Sequence, residues 1–189
     1  MKFLTESECG HWLRERAVDY QAPSSAGREG FITLPAHSLG GAFAVPTDAT
    51  TQVSVAWLLS SIDVGSQALL LITTWNTSGA GHEYDAMAAV RQAMGESRDV
   101  GESPGCLFDL SKPTERVIVA NMVLLMTAFN WEGWIVSADA SSVVWLADEV
   151  VEWCTCRQPD HDQLKAGLEA MNIAEGSRPW HVLRGSTRG

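Results

Sequence analysis

The chain begins with a polar signal. Thr5-Glu6-Ser7-Glu8 fits a capping box, with Thr5 as cap and Glu8 reaching back, and predicts a helix from about Glu6 to Ala17. Residues 21–30, QAPSSAGREG, read as a loop. Phe31–Leu34 and Ala42–Val45 are short apolar runs that predict a hairpin, with Pro35 and Pro46 limiting each strand. Thr50 or Thr51 opens a stretch with Val53, Val55, Trp57, Leu58 and Ile62 at mixed spacing, read as helix to about Ser61. Gln67–Trp75 is uniformly apolar over the length of a strand, which suits a central strand buried on both faces.

Glu83–Met94 predicts a helix with Tyr84, Met87, Ala88 and Met94 near one face. Residues 95–113 read as a long connection with Pro104-Gly105 and Pro113. The most apolar helix then runs from Thr114-Glu115-Arg116 to near Phe129. Its apolar run is shorter than the roughly 20 residues a bilayer span needs, so it reads as a buried helix. Trp134–Ser137 and Val143–Leu146, joined by 138–142, predict a hairpin, and Asp162–Met171 a last helix. Helices and strands alternate without a regular βαβ repeat. The pattern predicts an α+β fold: a mixed sheet of four to five strands, helices packed on it, and a C-terminal β-hairpin. One domain is expected over 1–173, with 174–189 a loose tail.

Composition supports a real core. Of 189 residues, 46% are hydrophobic and 19% charged, which is not the profile of a disordered chain. Thirteen Lys+Arg against 23 Asp+Glu give a net charge of −10. A nucleic-acid binder draws affinity from cations that neutralise phosphates, so this sign argues against nucleic acid and against an anionic membrane surface. Only Phe3 and Leu4 precede Glu6 and Glu8, where a signal peptide needs an apolar run of about 7–15 residues. A cytoplasmic protein is expected, and Cys9, Cys106, Cys154 and Cys156 are expected as reduced thiols.

The acids are clustered. Residues 31–82 hold only Asp48 and Asp63, whereas 139–162 hold Asp139, Asp148, Glu149, Glu152, Asp160 and Asp162 against Arg157 alone. Of eight tryptophans, Trp131, Trp134, Trp145 and Trp153 fall in one short segment. The indoles are expected mainly in core and sheet-face packing, Trp134 and Trp145 as cross-strand neighbours, with Trp131 and Trp153 the exposed exceptions. The acids read as a solvated face that keeps the chain soluble or, since tryptophan is enriched at interface hot spots and an acidic surface steers a basic partner, as a docking surface. Asp148, Glu149 and Glu152 would pair with such a partner, and Trp131 and Trp153 would anchor it.

Candidate chemistry is sparse. Gly79-Ala80-Gly81 sits where a phosphate loop would, but Tyr84 stands where a dinucleotide fingerprint wants glycine, and no Gly-Lys-Ser/Thr follows. Cys154-Thr155-Cys156 with His161 is the best metal candidate, completed only if Cys9 and His11 pack nearby; C-x-C is tighter than the usual zinc spacing, and no metal is expected. Ser137 or Ser141 near Asp139 lacks a G-x-S-x-G frame. No cofactor and no catalytic residue is assigned. A second reading places an enzyme or small-molecule pocket near Trp75, His82, Tyr84 and Asp85.

LLLITTW at 69–75, EYDAMAAVRQAMG at 83–95, SPGCLF at 103–108 and NWEGWIVSADASSVVWLADEVVEW at 130–153 together resemble a family of small uncharacterised bacterial proteins. The likeness covers residues 58–153 and brings no assigned activity. The hairpin ending in Asp148-Glu149 also resembles small bacterial toxin-immunity proteins. That likeness implies a non-catalytic, immunity-like protein that neutralises a basic partner by binding it.

Overall fold

The computed structural model describes residues 1–21, 31–33, 39–61, 67–74, 82–147 and 149–176. In chain order the elements are β1 (Lys2–Leu4), α1 (Glu6–Arg14), β2 (Asp19–Gln21), β3 (Phe31–Thr33), β4 (Leu39–Ala44), α2 (Ala49–Leu59) and β5 (Gln67–Thr74). They continue with α3 (His82–Gln92), β6 (Gly105–Asp109), α4 (Pro113–Ala128), β7 (Glu132–Ser137), β8 (Ser142–Ala147), β9 (Val150–Thr155) and α5 (Gln158–Ala170).

The fold is α+β. Its main sheet runs β1-β6-β5-β7-β8-β9-β4, and β2 and β3 form a separate pair. The expected four to five strands become seven, and the sheet is not mixed, because each of its six pairings is antiparallel. The additional strands are easy to miss locally. β1 has three residues, and β6 follows Pro104 inside the stretch expected to be a connection. The Phe31–Leu34 with Ala42–Val45 hairpin does not form: β3 pairs with β2, and β4 with β9. The β7–β8 hairpin does form, but it continues into β9 and α5 and so does not close the chain.

β5 explains the placement of the core. Ala68, Leu70 and Ile72 face one side, Leu69 and Leu71 the other, and all five are buried. On the first side α2, α3, α4 and α5 cover Phe43, Val144, Val151 and Trp153, with Met87, Val119 and Met126 wedged between. On the second side α1 and the β2–β3 pair cover Trp134, Val136, Val143 and Cys154 with Cys9, Trp12, Leu13 and Ile32. α1 begins with the expected capping box: Thr5 Oγ1 accepts from Glu8 N at 3.3 Å, and Glu8 Oε2 accepts from Thr5 N at 2.8 Å. Trp134 and Trp145 are register partners with stacked rings, 5.8 Å between centroids. Among the described residues, no helix is long and apolar enough to cross a membrane.

Candidate functional site

A broad concavity lies beside the end of the sheet that β4 closes. It is a groove of about 760 Å³, walled by residues 42–47, by Thr127, Ala128 and Asn130 at the end of α4, and by Glu149, Val150 and Gly176. Each wall has a local cause. Asn130 adopts φ 54°, a left-handed conformation that asparagine tolerates well. It ends α4 and turns the chain into β7. Pro46 cannot donate to a ladder, so β4 stops before it. The register leaves only residues 148 and 149 between Ala147 of β8 and Val150 of β9. The backbone carbonyl of Glu149 accepts from Val45 N at 2.8 Å, which fixes this short connection against the end of β4.

β4 is an edge strand, so half its peptide groups face away from the sheet. The bond from Val45 N to Glu149 points odd-numbered residues inward, toward β9. Gly40, Ala42 and Ala44 therefore present N–H and C=O outward. Gly176 N donates to Ala42 O at 2.7 Å, so the segment after α5 already meets this edge at one point. Lys165 pairs with Glu175 at 3.1 Å beside it. Residues 174–176, expected as the start of a loose tail, thus touch the sheet, and 177–189 lie outside the described residues.

The electrostatics of the groove are simple. Among its described lining residues Glu149 alone carries a formal charge, and it is exposed. A second groove, about 550 Å³ and beside α1, is lined by Lys2 and Arg14 as well as Glu8 and Glu15, so it has no clear sign preference.

The expected Trp-rich surface does not exist. Trp131 is 1% exposed and Trp153 0%. Trp131 lies against Tyr84 at 5.7 Å between ring centroids, and Trp153 against His161 at 5.0 Å. Both indoles belong to the helix-covered core and cannot anchor a partner in this fold. Glu152 is buried opposite Trp145, because β9 lies inside the sheet between β8 and β4. Asp148 lies outside the described residues. Of the five residues expected to bind, Glu149 is the one seen at an open surface. Among the described residues the exposed tryptophan is Trp57, at 41%.

The remaining candidates separate in space. Cys154 is buried among the residues beneath α1, Cys156 is exposed, and His161 packs against Trp153 on the opposite face of the sheet. His11 pairs with Glu15 at 3.2 Å on the exposed side of α1, away from the buried Cys9. Among the described residues no group of three or more His, Cys, Asp or Glu is placed to hold a metal ion. No cysteine forms a disulfide, and burial pushes the Cys9 and Cys106 thiols up to about 12. Ser137 Oγ donates to Asp139 Oδ1 at 2.8 Å, and Ser141 N donates to the same oxygen at 3.0 Å. Burial raises the Asp139 carboxyl's pKa, but these hydrogen bonds outweigh it and hold the group below its ordinary range. This arrangement shapes the β7–β8 turn. Ser142 Oγ lies 2.7 Å from Thr155 Oγ1 and 3.1 Å from Asp160 Oδ2, a buried cluster that ties α5 to the sheet.

For the pocket expected near residue 75, Trp75 and the glycines at 79 and 81 lie outside the described residues. His82 and Asp85 are exposed, and Tyr84 is committed to Trp131. Neither groove described above is lined by any of these three. Sequence reasoning missed the β4 side of the 760 Å³ groove. Its available signal was Pro46 directly after a small-residue strand, a pattern suited to a sheet edge. No protein-family model, curated protein or solved structure matches the chain.

Proposed function

We propose that the protein is a protein-binding domain that receives an extended, basic segment of a partner along the outer edge of β4, beyond the point that Gly176 occupies. The observation that carries this reading is the coincidence of a sheet edge that no described strand covers and that Gly176 meets at Ala42, a groove alongside it, and Glu149 as the charged group of its described lining. An extended segment would pair with the outward peptide groups at Ala44, as in recognition by strand addition. The apolar floor would take alternate side chains, and Glu149 would favour Lys or Arg. The net charge of −10 speeds approach of such a partner and selects it by sign. Immunity-like neutralisation of a basic toxin is one concrete form of the same binding act. It rests on the resemblance at Asp148-Glu149 and on charge, with no support from buried Trp131, Glu152 or Trp153.

The test is amide chemical-shift mapping of the whole chain, titrated with a ten-residue peptide of alternating Lys and Val. A peptide of alternating Glu and Val is the control. Shifts confined to Ala42–Val45, Glu149 and Val150, present only with the basic peptide and weakened by Glu149→Lys, support the reading. Ala44→Pro removes one outward N–H and should weaken the same response. Shifts that fall elsewhere, or are indifferent to both variants, overturn it.

A further inference from the structure

The second unexplained surface lies on the helical side. α2 and α4 are the middle pair of the helix layer, with α5 packed beside α2 and α3 beside α4. Their sequences are unusual for helices with an outer face. Residues 49–61, ATTQVSVAWLLSS, and 117–128, VIVANMVLLMTA, contain no Asp, Glu, Lys or Arg. A helix that is apolar around its whole circumference normally has neighbours on every side. Here Val53 and Trp57 on α2 are each 41% exposed, and Val117 on α4 is 42% exposed.

The polar side chains in these helices leave the face poorly prepared for water. Ser54 Oγ donates to Thr50 O at 3.1 Å, Ser61 Oγ to Trp57 O at 2.6 Å, and Asn121 Nδ2 to Val117 O at 2.9 Å. Each satisfies a donor within its own helix. At one margin Arg116 donates to Ser61 Oγ at 2.7 Å and places its guanidinium 5.9 Å from the Trp57 ring. The flanking helices are charged: Asp162 and Glu169 on α5 and Asp85 on α3 are exposed. An apolar centre with a polar rim is the usual anatomy of a protein interface.

We propose that this face is a self-association surface, on which a second copy packs its α2–α4 pair against the first about a two-fold axis. Charge selects this occupant. Two molecules of net charge −10 repel, and they approach at least cost where no acid faces an acid. A two-fold contact sets the same patch against itself, which a neutral patch tolerates. A basic partner would find no carboxylate in these two stretches. Size sets the strength. α4 is ~24 Å long and α2 ~16 Å, and helices packed 8–10 Å apart make a strip ~20 Å wide. That footprint covers roughly 400–500 Å² per copy, or about 1,000 Å² in total, near the lower limit for a specific interface. The contact is therefore of the small, weak class, with Trp57 its largest exposed apolar side chain, next to the Arg116 margin.

Sedimentation equilibrium of the full chain from about 1 to 500 µM, at low and high salt, tests this. The expected result is a monomer–dimer equilibrium that tightens with salt, because screening relieves the repulsion and leaves apolar contact intact. Trp57→Ala should raise the dissociation constant at least ~10-fold, and Val117→Lys should do so through a different residue. Glu149→Lys should leave the contact in place, which separates this surface from the β4 groove. Folding of each variant is checked by its thermal melt. A monomer throughout the range, a dimer that loosens with salt, or one indifferent to both helix variants would overturn the proposal.

Discussion

Trp153 distinguishes a surface anchor from a core residue most sharply. Its indole is fully buried between Gly41 of β4 and His161 of α5. A buried tryptophan removes about 150–250 Å² from water, or ~4–6 kcal/mol at 25 cal/mol per Å². A compact unfolded chain already hides part of that area, which lowers the figure to ~3–5 kcal/mol, the usual range for truncating a buried tryptophan to alanine. Trp153→Ala should therefore cost ~3–5 kcal/mol, and at ~2–4 °C per kcal/mol lower Tm by roughly 10 °C. Trp153→Phe should cost only ~1–2 kcal/mol, since it keeps a ring and removes an indole N–H that has no hydrogen-bond partner. Guanidinium titration followed by far-ultraviolet circular dichroism reads both values. A loss below ~1 kcal/mol for Trp153→Ala, with an unchanged slope, would return the indole to the surface and refute this packing.

Gly133 sits where β7 crosses β5, and a Cβ there would lie 2.5 Å from both Leu71 O and Met126 Cε. Gly133→Ala should destabilise by ~2–3 kcal/mol, because the carbonyl is sheet backbone and cannot yield; Gly95→Ala, at φ 81° with open space around it, should cost ~1 kcal/mol, and urea titration separates the two. Glu96 accepts hydrogen bonds from the Arg98 guanidinium and from Arg98 N, which hold its carboxyl at about 2 against an ordinary 4.5. Its contribution to stability is complete above about 4.5 and is lost as pH falls toward 2, so Glu96→Gln should flatten stability across that window in urea melts at stepped pH. Thr5→Ala removes the α1 cap and should cost ~1 kcal/mol in the same titration, whereas Thr5→Ser should cost little.

Local signals were readable where a single segment carries the whole cause. The capping box at Thr5 and Glu8, the doubly buried run at 67–74 and the β7–β8 hairpin each depend on nearby residues, and each was found in place. The misreadings share a different cause. Ala42–Val45 has the composition of a strand, but its partner is β9, about a hundred residues away, and nothing local excludes a hairpin with 31–34. The edge that defines the groove follows from that distant pairing, so the groove was invisible even though Glu149 was named. In sequence, the acids around Trp153 suit an exposed exception as well as a core indole. In β9, however, Val151, Trp153 and Thr155 face the helix layer, and Glu152 points into the opposite, also covered, side. Trp57 shows the converse: the charge-free stretch around it looks like interior, yet its outer face is open.

The two ends of the sheet have a consequence for biosynthesis. β1 pairs with β6, and β4 with β9, so both edge strands come from the first 44 residues and both wait for partners much later in the chain. Ala44 meets Val150 only after about a hundred further residues are made, a delay of roughly 5–20 s at 5–20 residues per second. During that interval the apolar LGGAFA segment has no partner strand, while the β5–β9 meander is still being assembled. Both edge strands are thus made before their partners and can join the main sheet only late. A nascent chain whose β4 has left the ribosome before β9 is made would hold this strand unpaired, open to aggregation and to chaperones.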